Sequence, residues 1–455
     1  MKHLKGFACV SALLLALVLP GALPAQTTVT FPDPNLEAAV RSALGKPTGD
    51  LTSADLLALQ QLPAANRGIS NLSGLEGALN LQTLDLSDNQ VEDAGPLAGL
   101  TALQALFMDG NRLRSGAPLA NLTNLKSLLL NYNSIQDTSW LVGLRQLQEL
   151  SLIGNPMGSG AALAGLTNLT DLYVNGTGIP DLGWAAGLSN LLRLGAGENG
   201  ANDASPLAGL TKLQFLGLGG SPLISCAPLA GLINLQTLYL YHDSLTDVSC
   251  LAGLRNLTWL RLSDNQISDL VPLAGLTGLE YLDLSGNPLG NCGSLAGLTQ
   301  LTGLDLGYDY LSDVRGLRGL TQLAYLGLSD NQIRDASPLA GLSSLQYLNL
   351  SNNLVANLNF AQGLTSLTNL DVARNQLSDS NGLLRLKNLS SVDLLDNPLD
   401  QAPSFAVRIG IQTLERRGVE VSSSLSSLPY QPGCWNWANG LQQERARILL
   451  SLAWL

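Results

Sequence analysis

The chain has 455 residues, of which 45% are apolar, 13% charged and 5% aromatic, with 47 glycines. That apolar share can bury a core, which excludes general disorder, while the charged share is about half the roughly 25% usual in globular proteins. A net charge of −11 opposes phosphate backbones and anionic lipids, so no nucleic-acid partner is expected, and two histidines leave little for a His-based metal site or triad.

Lys2, His3 and Lys5 precede an apolar run from Phe7 to Leu19, which Pro20 and Gly21 end. The run is shorter than the ~20 residues that span a bilayer. Small residues follow, closing on Ala22-Leu23-Pro24-Ala25. Residues 1–25 therefore read as a signal peptide cleaved after Ala25. The expected product is secreted or extracytoplasmic, at the cell surface, with no transmembrane segment after signal removal. Residues 26–61 read as a helical amino-terminal cap. Asp33-Pro34 supplies an N-cap and a first-turn proline for a helix ending near Gly45. Thr52-Ser53-Ala54-Asp55 resembles a capping box opening a second helix through Gln61.

Residues 62–400 repeat. The run Leu81-Gln82-Thr83-Leu84-Asp85-Leu86-Ser87-Asp88-Asn89-Gln90-Val91 fits L-x-x-L-x-L-x-x-N-x-L, the leucine-rich repeat pattern. Its frame returns every 22 residues from Leu84 to Val392 without insertion or deletion, and a degenerate further unit begins at Leu62. The expected fold is an α/β-type repeat solenoid: a leucine-rich repeat horseshoe with a parallel β-sheet on the concave face, short 3-10 turns on the convex face, and helical caps. At about 4.8 Å per strand, fifteen rungs give an array about 70 Å long. The Asn of each repeat is placed to satisfy buried backbone groups of neighbouring coils. Thr177, Ser221, Asp243 and Asp309 replace it in four units, each keeping a side-chain oxygen, so a weakened ladder is expected there. Outer segments such as Pro96 to Leu103 are too short for α-helix and predict 3-10 turns burying Leu97, Leu100 and Leu103. Asn121-Leu122-Thr123, Asn168-Leu169-Thr170 and Asn256-Leu257-Thr258 read as repeat residues rather than glycosylation sites.

Residues 401–421 read as the carboxy-terminal cap, since terminal repeats would otherwise expose leucines. Ser404 to Arg417 predicts a helix stopped by Gly418, and Val419-Glu420-Val421 a strand. Residues 422–455 are a Ser-rich linker and a Trp-containing tail, with Leu441, Ile448, Leu449, Leu452 and Leu455 on one face of an expected helix. Four cysteines outlast the signal: Cys226, Cys250, Cys292 and Cys434. Cys226 and Cys250 fall on adjacent rungs, two places apart within the repeat. A disulfide there requires Cα atoms within about 7 Å, and buried free thiols are the other state.

The 22-residue period, the P-L-x-x-L-T-x-L segment (Pro272 to Leu279) and N-x-I-x-D (Asn265, Ile267, Asp269; Asn331, Ile333, Asp335) resemble internalin-type bacterial leucine-rich repeat proteins over roughly residues 31–400. The helical cap is also similar. The resemblance implies a curved domain that binds a partner protein through its concave sheet. No LPxTG signal, basic wall-binding module or room for an immunoglobulin-like domain follows the repeats, so host invasion is not implied.

Outward strand positions are mostly small or polar, apart from Phe107, Tyr173, Phe215, Tyr239, Tyr241, Trp259, Tyr281, Tyr325 and Tyr347. Aromatic anchors are enriched at interface hot spots, and they also stabilise sheets through cross-strand pairs. Gly195, Gly197, Gly217 and Gly219 suggest a bare floor for a protruding side chain or a sugar ring, with Arg193 and Arg261 beside it to take an acidic group. Asp283, Asp305, Asp371 and Asp393 form an acidic stripe suited to Ca²⁺ or a basic partner. With no EF-hand or nonapeptide pattern, a solvated face is the expectation. The reading is a non-catalytic exported recognition module whose concave face binds a protein or glycan, with no cofactor or metal. The other reading is a structural or adhesive spacer of the cell envelope or extracellular matrix without one discrete site. An enzyme built on Cys434 is disfavoured, because the residues after Val421 are too few for an independent catalytic domain. A triad on His242 would lack an oxyanion site.

Overall fold

A computed structural model of the protein describes residues 27–401 and 404–423. The signal reading, Cys434 and the expected tail helix fall outside these residues. Helix α1 (Pro34–Leu44) begins where Asp33 Oδ1 accepts from the backbone N–H of Asn35 and Leu36, and it ends on Gly45 at φ 61°. Helix α2 (Ser53–Ala58) opens with a capping box between Thr52 and Asp55. It stops short of the expected Gln61, because Gln61–Pro63 forms strand β1 and joins the sheet beside β2 (Thr83–Asp85). Propensity gave way there to backbone pairing.

One three-residue strand per repeat then builds a parallel sheet in chain order, from β2 to β16 (Ser391–Asp393), and β17 (Glu420–Ser422) closes it. The register is in step throughout: Leu84 pairs with Leu106, and Leu106 with Leu128. Residues 22 apart therefore stack in straight columns. The strand leucines turn into the core and are fully buried. The opposite side of each coil is a 3-10 turn such as Gly95–Leu97, and Leu97, Leu100 and Leu103 are fully buried under it. At the far end α3 (Pro398–Gln401) and α4 (Phe405–Arg416) follow the last coil. Ser404 caps α4, and α4 buries Val407, Ile411 and Leu414.

The asparagine column is the main polar support of the stack. Asn111 Oδ1 accepts from Val91 N–H at 2.9 Å, and its Nδ2 donates to Leu86 O at 2.9 Å and Met108 O at 3.1 Å. Met108 O also accepts from Asn133 Nδ2 at 2.9 Å, so each carbonyl is shared by successive rungs. The amides are nearly or fully buried, where an unmet backbone group is costly.

The four substituted rungs differ from expectation and from one another. Thr177 Oγ1 still donates to Val174 O at 2.8 Å. The Ser221 hydroxyl is buried without a partner. Asp243 and Asp309 each use one oxygen, accepting from Ser221 N–H at 3.1 Å and Asn287 N–H at 2.8 Å, and leave Oδ2 buried and unpaired. Burial pushes their carboxyls up to about 7 and about 9. The ionised form has no proton to offer where Asn presents its amide N–H, so burial favours the neutral acid at both rungs.

A second asparagine column lies on the exposed side. Asn168 Nδ2 donates to Arg145 O and Asn256 Nδ2 to Ile233 O, a structural use of two of the N-L-T motifs. One residue before the ladder position every coil passes through the left-handed region, as at Asp88 (φ 55°), Tyr132 (φ 53°) and His242 (φ 54°). The frequent Gly, Asp and Asn in that column are its sequence signal.

Candidate binding face

The residue on each side of a strand leucine points from the concave face. All ten predicted binding residues, Arg193, Phe215, Tyr239, Tyr241, Trp259, Tyr281, Tyr173, Arg261, Tyr325 and Tyr347, lie in these columns and are half-buried. Eight of them, all but Tyr325 and Tyr347, fall on six consecutive coils. Tyr173 and Phe215 have ring centroids 6.3 Å apart, and Phe215 meets Tyr239 edge-on at 5.4 Å. The Arg261 guanidinium lies 5.8 Å from the Tyr239 ring centre and 5.0 Å from that of Tyr241. Trp259 stacks on Tyr281 at 4.1 Å, with 15° between the planes. Tyr325 and Tyr347 form a separate stack at 5.1 Å. Phe107 stands apart, with Leu129 and Ser151 between it and Tyr173 along the column.

The bare glycine floor does not exist. Gly195, Gly197, Gly217 and Gly219 are all buried. A Cβ on Gly195 would lie 2.8 Å from the Tyr173 ring, and one on Gly219 would lie 2.6 Å from the Tyr241 ring. A Cβ on Gly217 would touch Phe215 at 3.6 Å and Tyr239 at 3.9 Å. Gly195, Gly217 and Gly219 are seats for rings, and Gly197 lies against the backbone of Gly219, so the recess for a sugar ring is filled by the protein itself. Spacing in the chain does not show which way a ring leans.

Both arginines are also engaged. Arg193 Nη1 lies 2.6 Å from Asp171 Oδ1, and Arg261 Nε lies 3.3 Å from Asp283 Oδ2. Each guanidinium already donates to a carboxylate of a neighbouring coil rather than standing free for an acidic group. The Asp171 contact holds the Arg193 guanidinium further into its charged form.

The acidic stripe is less solvated than expected. Asp283 is 5% exposed and also accepts from the Ser285 hydroxyl at 2.7 Å. Asp305 accepts from the Tyr325 hydroxyl at 3.0 Å. Burial, with Asp283 adding its charge, pushes the Asp305 carboxyl up to about 6, and burial does the same to Asp371. Among the described residues no group of three or more His, Cys, Asp or Glu side chains converges as a metal site would require. His242 is exposed beside Asp264, its Nε2 3.3 Å from Oδ2.

On the convex side Cys226 and Cys250 form a disulfide with Cα atoms 5.9 Å apart. The two-place offset is absorbed because Cys226 lies just before its 3-10 turn and Cys250 within the next one. Cys292 is a buried free thiol. Trp140 and Trp184, which the strand-centred reading passed over, lie buried across Gly116 and Gly160 of the preceding coils. Among the described residues no helix is long and apolar enough to cross a membrane.

Residues 79–121, 255–297 and 321–363 match the family described as Leucine Rich repeats (2 copies). No curated protein matches the chain in sequence. Among solved structures, an internalin of Listeria monocytogenes, InlF, is 30% identical, with 80% of this chain and 95% of that one covered and a TM-score of 0.54. A leucine-rich repeat protein of Leptospira interrogans shares 22% identity, covers 81% of this chain and 97% of its own, and has a TM-score of 0.63. A plant peptide hormone receptor, RGFR1, solved in complex with RGF2, shares 20% identity over 71% of this chain and 60% of that one, with a TM-score of 0.58. Proteins of this fold commonly mediate protein binding, and members of the family are typically non-catalytic. The repeat frame, the fold and the InlF match together make the chain a member of the internalin-type bacterial leucine-rich repeat proteins.

Proposed function

We propose that the chain is an exported, non-catalytic recognition module that captures a protein ligand on its concave face, centred on Phe215, Tyr239, Tyr241, Trp259 and Arg261. The observation that carries this reading is the pair of half-buried ring groups between Tyr173 and Tyr281, Tyr173–Phe215–Tyr239 with Arg261 over Tyr239 and Tyr241, and Trp259 stacked on Tyr281, on a sheet face whose other positions are mostly small or polar. Rings already packed against each other lose little freedom on binding, which favours affinity. They combine large apolar area with a polar edge. Tyr325 and Tyr347 extend the surface, and Arg193 orders its amino-terminal margin through Asp171. A glycan is the weaker fit, because the glycine recess that would seat a sugar ring is occupied.

The test is capture from cell or host extracts by the purified chain, with Tyr239→Ala/Tyr241→Ala/Trp259→Ala as the control. Loss of a specifically retained protein, with the thermal midpoint lowered by only a few degrees, is the expected result. Equal capture by both forms, or collapse of the fold in the variant, would make the rings structural and leave the molecule as a spacer. Each ring pair is worth about 0.5–1.5 kcal/mol beyond area, so some stability loss is anticipated.

A further inference from the structure

Coils 8 and 9, which begin with strands β8 (Phe215–Gly217) and β9 (Thr237–Tyr239), are the one place where two successive ladder rungs lack asparagine. On either side of them an Asn amide donates back to a carbonyl of the preceding coil, as Asn199 does to Val174 O at 2.8 Å and Asn265 to Leu240 O at 2.7 Å. Ser221 and Asp243 supply no such donor, and each keeps a buried, unpaired oxygen. Cys226 belongs to the coil of Ser221 and Cys250 to the coil of Asp243. The disulfide therefore joins the coil pair that an asparagine in place of Asp243 would have tied. Across the core from it, the edge-on contact of Phe215 with Tyr239 spans the same junction.

We propose that the Cys226–Cys250 disulfide replaces the absent asparagine donor between coils 8 and 9 and positions Phe215 against Tyr239, so that reducing it loosens the aromatic face while distant coils stay folded. Both cysteines are positioning residues, acting through the coil junction. The meaning for ligand capture rests on the function proposed above; the junction itself is read without a ligand. Reduction by a dithiol passes two electrons and two protons. The S–S bond breaks, Cys226 and Cys250 each become a thiol, and the reductant closes its own disulfide. The sulfurs are nearly buried, at 2% and 7% exposure of their residues, so a reductant reaches them through local opening of these two coils.

Amide hydrogen exchange on the full chain tests this in four forms: oxidised, dithiothreitol-reduced, Cys226→Ser/Cys250→Ser, and that variant with Ser221→Asn/Asp243→Asn added. Loss of the bond is expected to speed exchange between residues 215 and 245 by about tenfold or more, the scale of one buried hydrogen bond. Residues 84–155 should change little, and near-ultraviolet dichroism from the rings should weaken. Restoring the asparagines should return most of the protection without any disulfide. Unchanged exchange in both disulfide-free forms, equal acceleration in every coil, or failure of the asparagines to restore protection would each overturn the proposal. If the Ser variant does not fold, the reduced native chain decides. Correct exchange behaviour with no protein captured by any form would sink the binding function and leave this inference standing.

Discussion

Coils 2–5 and coils 7–9 have the same length and the same central strand leucine, yet they are held together differently. In the first group Asn89, Asn111, Asn133 and Asn155 form an unbroken chain of amides in which Leu86 O, Met108 O and Leu130 O each accept from two rungs. In the second group the chain lapses at Ser221 and Asp243, the floor is glycine, and a disulfide and leaning rings supply what the amides do not. The hydrophobic core is equally closed in both. The comparison shows that leucine burial sets the coil, whereas the bonds that lock one coil to the next can be exchanged. The region where they have been exchanged is the one that carries the densest aromatic face.

Three substitutions, one in the unbroken ladder and two at substituted rungs elsewhere in the stack, sharpen this contrast between rungs with and without asparagine. The largest loss is expected for Asn133→Ala, which strands the buried Leu113 N–H and removes the contacts its amide donates to Met108 O, Leu130 O and Asn131 O. Met108 O and Leu130 O keep their other partners, so the cost should be about 3 kcal/mol, read as a lower urea midpoint. A loss under about 0.5 kcal/mol would deny the ladder its role.

An intermediate, pH-dependent gain is expected for Asp309→Asn. Burial holds the Asp309 carboxyl at about 9, against 3.8 for the unconstrained group. Between those values the unfolded chain has released the proton and the folded chain keeps it. The native carboxyl therefore favours folding fully below about pH 4, and that advantage is lost as pH rises towards about 9. Asn cannot ionise and restores the missing N–H. The variant should match the native chain near pH 4 and exceed it increasingly up to about pH 9, by about 1–3 kcal/mol. Parallel midpoints across that range would refute the assignment.

The smallest effect belongs to Thr177→Ala. It removes the bond to Val174 O, which Asn199 Nδ2 still serves at 2.8 Å, and a weaker contact with Asn199 Oδ1 at 3.2 Å. A loss of at most about 1 kcal/mol is expected, and a value as large as that of Asn133→Ala would mean that a rung without asparagine bears as much of the stack as one with it.

Much of this was legible in one dimension. The 22-residue frame located every strand leucine, the asparagine column and the outer turns, because a period without insertions leaves a single way to stack identical coils. The caps were readable at Asp33, Thr52 and Ser404 because capping acts over three or four residues. The outward columns of the candidate face were legible as residues, but not the contacts among them. The glycines promised a recess, and in the folded chain Tyr173 and Tyr241 lie over two of them. Arg193 and Arg261 looked available to a ligand, but neighbouring coils had already paired them. The disulfide was undecided, since its Cα separation depends on where each cysteine falls within its turn.

By itself the sequence determined the coil, its register and which columns face solvent, all consequences of a pattern repeated at constant spacing. Only the tertiary structure decided which way the rings lean, which carboxyls keep a proton and which cysteines meet. Those outcomes depend on distances of a few ångströms between coils, and side-chain contacts across that gap are set by packing rather than by position in the chain.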